Sequence, residues 1–192
     1  SGNDETREAL DAIARRVDSV SQLHAALNQT SKMHYVRIDT YLGRVATLLQ
    51  RHAPEGVVLH VEAPDLEVES RVAASIGVMA SEFAANAGKY AFRGQYAGAE
   101  VRFTLERHGP NALVFTCRDN GPGPEPGSRL DVLASSALGA RLLEAAAQQV
   151  GGLLTQGREP GGFVLRAELP VDPAEEVPFT SESGFAAAPA AE

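Results

Sequence analysis

Residues Ser70 to Tyr90 constrain the fold more than any other stretch. Val72, Ile76, Met79, Phe83 and Tyr90 recur at helical spacing and form one apolar stripe, which a helix must bury against another layer. Glu82, Asn86 and Lys89, spaced i, i+4, i+7, make a second, polar face suited to binding. A helix with an anchoring face and a binding face needs a sheet beneath it, and the flanking sequence supplies the strands. Val57 to Val61, the alternating Val101, Phe103 and Leu105, and the run Leu113 to Cys117 read as strands, with a turn at His108-Gly-Pro-Asn111. A helix is expected over Ala134 to Val150, closed by Gly151-Gly152, followed by strands over Leu153 to Gly157 and Phe163 to Leu169. That order predicts an α+β fold, a two-layer sandwich of a mostly antiparallel sheet with helices on one face.

Upstream, Leu10, Ile13, Val17, Val20, His24 and Leu27 follow alternating three- and four-residue steps, the pattern of a helix with a coiled-coil-like seam. Asp39 is the expected N-cap of a further helix carrying Leu42, Val45, Leu48 and Leu49, ended by Pro54 and Gly56. From Val171 onward, prolines, acidic residues and alanines offer too little apolar surface to order a segment, so a disordered tail is expected over 171–192. The net charge of -8 argues against a nucleic-acid partner, which would demand clustered Lys and Arg. One cysteine, Cys117, forms no disulfide framework and fits an apolar strand in a reducing compartment. No apolar run is long enough to cross a bilayer, and Ser1-Gly-Asn-Asp-Glu resembles no signal peptide. A soluble, cytoplasmic domain is therefore expected.

The chemistry is concentrated in two places. Asp119 ends the apolar run Leu113 to Cys117 and enters Asn120-Gly121-Pro122-Gly123, where two glycines allow a ligand to approach the backbone. Alone, this is also the composition of an ordinary tight turn, and Glu82 and Asn86 alone fit solvated helix positions. Their order and separation carry more. Glu82-Phe-Ala-Ala-Asn86-Ala-Gly-Lys89-Tyr90 followed by Asp119-Asn-Gly121-Pro-Gly123 resembles the N-box and first glycine box of two-component sensor histidine kinases, whose ATP-binding (Bergerat) fold is shared with gyrase, Hsp90 and MutL. The segments Arg7 to His24 and Val36 to Leu42 are similar to the second dimerisation helix and linker of the HWE-related branch.

The resemblance implies three parts: a partial dimerisation helix and linker at 1–35, an ATP-binding domain at 36–170, and the tail at 171–192. It implies ATP and Mg2+ as cofactors, with Asn86 holding the metal, Lys89 meeting phosphate and Asp119 accepting a hydrogen bond from the adenine amino group. Glu82 would be the catalytic base or water-orienting residue. Tyr90, Gly121, Gly123, Leu138 and Gly139 would line the nucleotide site. A response regulator would be the partner, with homodimerisation through the N-terminal helix. The phosphoacceptor histidine is expected on a preceding helix and not in this chain, leaving His24 as a packed helix residue.

Three departures from the family pattern stand out. The second glycine box reads Ala137-Leu138-Gly139 where glycine is usual at its first position. The final strand opens Gly162-Phe163, without the hydroxyl that supports the adenine-binding carboxylate. The Trp-x-Glu signature is missing, since the chain has no Trp. Ala137 and Phe163 keep open an alternative, a degenerate kinase-like protein that binds a partner without turning over ATP. A hydrolytic ATPase or serine-directed kinase, with Glu82 activating water or a hydroxyl, is a third class, opposed by the dimerisation-like helix.

Overall fold

The computed structural model describes residues 35–124 and 137–171. The seam helix, the 125–136 segment and the tail expected from sequence lie outside these residues.

The chain runs β1 (Tyr35–Arg37), α1 (Ile38–His52), β2 (Val57–Glu62), β3 (Glu67–Glu69), α2 (Ser70–Asn86), a π-helical turn (Ala87–Ala91), β4 (Ala99–Arg107), β5 (Ala112–Asp119), α3 (Ala137–Gln148), β6 (Leu153–Glu159) and β7 (Gly162–Pro170). Five strands form one sheet in the order β2-β4-β5-β7-β6. The β2–β4 pair is parallel and the other three pairs are antiparallel. This is the expected mostly antiparallel sheet, and its helices belong to one packed core.

The alternation in β4 and β5 does what the sequence pattern requires. Val101, Phe103 and Leu105 are buried, as are Leu113, Phe115 and Cys117, while the residues between them are more exposed. From above, α2 inserts Val72, Ile76, Met79 and Phe83 into the same core, and α1 adds Ile38, Tyr41, Leu42 and Val45. Phe83 meets Phe103 edge-to-face, with ring centroids 6.5 Å apart, and Phe103 stacks on Phe115 at 6.2 Å. The opposite sheet face is polar and carries the ion pairs Arg102–Glu62 at 2.6 Å and Arg166–Glu159 at 2.6 Å. Their exposure makes them marginal for stability.

Four details differ from expectation. A second, two-stranded sheet pairs β1 with β3, with Val36 opposite Val68. The N-cap of α1 is Arg37 and not Asp39. The first amide of that helix, Ile38 N–H, donates to the Leu66 carbonyl at 3.0 Å, so a backbone oxygen does the work of a side-chain cap. Asp39 lies in the first turn and is bonded by Arg37 at 3.1 Å, which holds its carboxyl below the usual range. The helix expected to reach Tyr90 is α-helical only to Asn86. Finally, the strand expected to end at Gly157 continues to Glu159.

The parallel edge strand is stitched to α1 by one side chain. Gln50 donates through Nε2 to the Val57 carbonyl at 2.8 Å and accepts from the Leu59 amide at 2.9 Å through Oε1. An edge that would otherwise offer free backbone groups is thereby partly occupied.

Candidate nucleotide site

Asp119 is the last residue of β5 and is buried, with 4% of its surface exposed. A buried carboxylate needs donors, and here two backbone amides supply them. Gly121 N–H donates to Oδ1 at 2.9 Å and Phe163 N–H donates to the same oxygen at 3.2 Å. Burial still raises the proton affinity of the carboxyl above its ordinary value of 3.8, against the amides and the cations Arg158 and Arg118, which pull it down.

Local sequence explains why the amides reach it. Gly162 adopts φ 145°, and a Cβ there would run into the Asp119 carbonyl. Only glycine lets β7 start this close to the end of β5. Asn120 anchors the next step: its Oδ1 accepts from Glu100 N–H at 2.8 Å and its Nδ2 donates to the Gly98 carbonyl at 2.8 Å. The middle residue of the motif is thus a structural clamp, and the glycines around it are left to shape the loop.

The loop rests on the end of the α2 helix. Gly121 leaves no room for a side chain against Ala91, and Gly123 N–H donates to the Ala91 carbonyl at 2.8 Å. Arg93 donates to the Gly123 carbonyl from a backbone with φ 51°, the one non-glycine positive φ among the described residues. The π-helical turn over Ala87–Ala91 carries Lys89 and Tyr90, and it interrupts the helical phase on which the shared face of Glu82, Asn86 and Lys89 was expected. Accordingly Glu82 is buried at 7% exposure, Asn86 is half-buried and Lys89 is exposed. The three form a gradient from core to surface. Tyr90 is half-buried, so the end of the expected apolar stripe is also turned partly outward.

Gly139 is buried near the start of α3, which packs against α2. Ala137 and Leu138 open that helix. Phe163, which stands where a hydroxyl was expected, keeps its amide on Asp119 and lays its ring 6.3 Å from Phe83. Its side chain is therefore part of the wall between sheet and α2.

Two residues of this region escaped the sequence reading. Arg158 lies opposite Phe163 in the β6–β7 register and donates from Nη1 to the Gly121 carbonyl at 3.3 Å. Its position four residues after the core-packed Leu154 was the available signal, hidden by ending the strand at Gly157. Arg93, one residue past the buried Phe92, carried no periodic signal at all. Among the described residues, no three His, Cys, Asp or Glu side chains cluster as a metal-binding set, and no helix is long and apolar enough to cross a membrane.

Residues 1–53 match a family model described as "Histidine kinase". Curated protein sequences give no match. Among solved structures, the histidine kinase domain of the blue-light activated histidine kinase EL346 from Erythrobacter litoralis aligns with TM-score 0.67 and 23% identity, covering 82% of this chain and 74% of that one. Against the longer EL346 chain the TM-score is 0.69 at 22% identity, covering 85% of this chain and 50% of that one, so the chain spans half the length of that relative. The ATP binding domain of PrrB from Mycobacterium tuberculosis aligns with TM-score 0.52 and 27% identity over 72% of this chain and 96% of that one. Full-length ShkA, solved in complex with AMPPNP, aligns with TM-score 0.58 and 22% identity over 88% of this chain and 37% of that one. Residues 1–53 thus match a histidine kinase family model, and the residues that follow have the fold of histidine kinase catalytic domains.

Proposed function

We propose that the chain supplies the ATP-binding catalytic module of a two-component sensor histidine kinase, presenting Mg-ATP for histidine autophosphorylation and signalling to a response regulator in the bacterial cytoplasm. Residues 36–170 are the catalytic domain in this reading, and residues 1–35 are part of the dimerisation helix and linker through which the full-length protein forms a homodimer. The observation that carries it is the Asp119 carboxylate. Both backbone amides bond one oxygen, Oδ1, so the group is fixed in orientation by partners that do not use Oδ2. That suits an acceptor for the adenine amino group beside the glycine loop, whose Gly121 and Gly123 are themselves buried and bonded to Asp119, Ala91, Arg93 and Arg158.

The donor set fits the cofactors. Lys89, exposed on the π-helical turn, meets phosphate. Asn86, one turn inward, holds Mg2+, a metal that takes one or two protein ligands and completes its shell with phosphate and water. When bound, the metal neutralises phosphate charge. Glu82, deeper on the same helix, acts as base or orienting group for the attacking nucleophile. Tyr90, Leu138 and Gly139 bound the site from the π-helical turn and the start of α3. Two findings on relatives support the reading: PrrB's aligned domain is an ATP binding domain, and ShkA was solved with AMPPNP.

A second reading, a kinase-like partner protein without ATP turnover, draws on Phe163, whose ring stands 6.3 Å from that of Phe83. Titration calorimetry of the full chain with Mg-ADP and Mg-ATP separates the two. Saturable heat with a matching rise in melting temperature is expected. A flat titration at millimolar nucleotide would replace the first reading with the second.

A further inference from the structure

Tyr35 on β1 and Val171 just past β7 line the same groove, where β5 begins and away from Asp119 at its other end. The groove encloses about 70 Å3. A single water needs roughly 10–15 Å3, so there is room here for a side chain. Of its lining, Val68, Val72 and Leu113 are buried in the core, and Leu66 is partly buried against it. Tyr35 keeps 42% of its surface exposed. The rim carries charge as well. Arg107 pairs with no carboxylate among the described residues. Of the rim carboxylates, Glu69 is held by Arg71 at 2.5 Å, and Glu67 lies opposite Arg37 in the β1–β3 register.

The chain sets out toward its C-terminus from this place. Val171 N–H donates to the Asn111 carbonyl at 2.9 Å, and its side chain packs on the core. Residues 172–192 hold too little apolar surface to order alone, but part of what they hold comes early, at Val177-Pro178-Phe179. They also carry Asp172, Glu175, Glu176, Glu182 and Glu192, with no Lys or Arg. We propose that the groove is the docking site of this C-terminal segment, with Val177 and Phe179 seated against Tyr35, Leu66 and Val72 and with Glu175 and Glu176 facing Arg107. The stretch from Val171 to Phe179 spans up to about 27 Å when extended, so it can turn back onto the groove. Pro178 restricts its own backbone and that of Val177, which lowers the cost of ordering them. A short tether supplies an effective concentration on the order of millimolar, so contacts too weak to act between molecules suffice within one. The segment Gln29-Thr-Ser-Lys-Met33-His34 also adjoins the groove through Tyr35, but Met33 is its one apolar side chain. Docking by the C-terminal segment ties it to β1, which belongs to the stretch matching the kinase family model.

The test is hydrogen exchange read by mass spectrometry on the full chain, with the free peptide 172–192 as reference. Amides of Val177, Phe179 and Thr180 should exchange about two- to tenfold more slowly in the chain than in the peptide, the protection that a tethered weak contact provides. F179D should bring them to the peptide rate and speed exchange at Leu66 to Glu69, with the melting of the domain otherwise kept; F179S serves as a second variant. R107E should lower the protection, and E175R/E176R in that background should restore part of it. Exchange at the peptide rate in the unaltered chain would overturn the proposal, and slowed exchange at Gln29 to His34 in its place would give the groove to that segment. Protection that survives F179D would overturn it too. Protection that fades on dilution would assign the groove to the segment of a second copy and overturn docking within one chain.

Discussion

Replacing Asp119 by Ala and by Asn separates what the carboxylate does for the fold from what it does for a ligand. Ala removes the acceptor of two amides. The Gly121 bond is buried and the Phe163 bond half-buried, so the first N–H loses its only shown partner while water reaches the second more easily. At about 1–3 kcal/mol for each unsatisfied buried group, D119A should cost about 2–4 kcal/mol of unfolding free energy. Asn keeps an oxygen in the Oδ1 position, so both amides stay paired, and the loss of charge assistance is offset by no longer burying a charge. D119N should therefore lie within about 1 kcal/mol of wild type. The pH dependence follows from the direction of the shift. The folded-state proton affinity is raised above the ordinary 3.8, so the folded state binds the proton more tightly, and this contribution to stability is fully present below that value and is lost as pH rises through the folded value. D119N lacks it, so the variant should gain on wild type as pH is raised from about 3.8 toward neutrality. For nucleotide the order reverses. Turning the free acceptor into a donor removes a charged hydrogen bond of about 1.5–3 kcal/mol, or about 10- to 150-fold in Kd. Urea unfolding across pH, read with calorimetry at pH 7, checks all three. The reasoning is refuted if D119N is as unstable as D119A, because the amides would then not be what Oδ1 holds.

Two further outcomes test the core and the β5–β7 junction. The Tyr41 hydroxyl is buried without a partner among the described residues, and burial pushes its ionisation far upward; Tyr41→Phe should leave stability unchanged or raise it by up to about 1 kcal/mol, and a clear loss in urea unfolding would reveal a partner for the hydroxyl. Gly162→Ala should cost more than about 2 kcal/mol, because positive-φ strain adds to the collision with the Asp119 carbonyl; an unchanged melting temperature would show that β7 can start elsewhere.

The parts of the fold that the sequence exposed are those with a long period to read. The stripe Val72, Ile76, Met79, Phe83 spans most of α2, and β5 alternates between buried and partly exposed residues along its whole length. The β1–β3 ribbon was invisible because three residues per strand contain no measurable alternation. Strand β6 was cut short at Gly157 because glycine usually weakens a strand interior, yet pairing with β7 carries it on to Glu159. That two-residue error concealed Arg158. Asp39 was a reasonable cap by residue type, but the Leu66 carbonyl, brought in by the approach to β3, had already satisfied the helix start. The location of Asp119 was legible, as a carboxylate closing an apolar run. What supports it was not, since the Phe163 amide comes from 44 residues away.

The missing hydroxyl at position 163 looks different once the backbone is considered. A side-chain hydroxyl could support a carboxylate only as one donor among others, whereas the amide of residue 163 is present whatever the side chain. Phe163 therefore trades one donor for apolar surface against Phe83 while keeping the amide that orients Asp119. The same logic links the two motifs. The Ala91 carbonyl at the end of the π-helical turn would be an orphan helix acceptor, and it is taken by Gly123 N–H at 2.8 Å, while Arg93, just beyond the turn, reaches back to the Gly123 carbonyl. The glycine loop is thus built onto the end of the helix that carries Asn86 and Lys89, and π-helical turns recur at functional sites because they redirect a helix without ending it. The loop is tied through its amide to that turn, which carries Lys89 and Tyr90, and through its carbonyl to Arg93 just beyond it. The two motifs, distant in sequence, are therefore joined through the end of one helix.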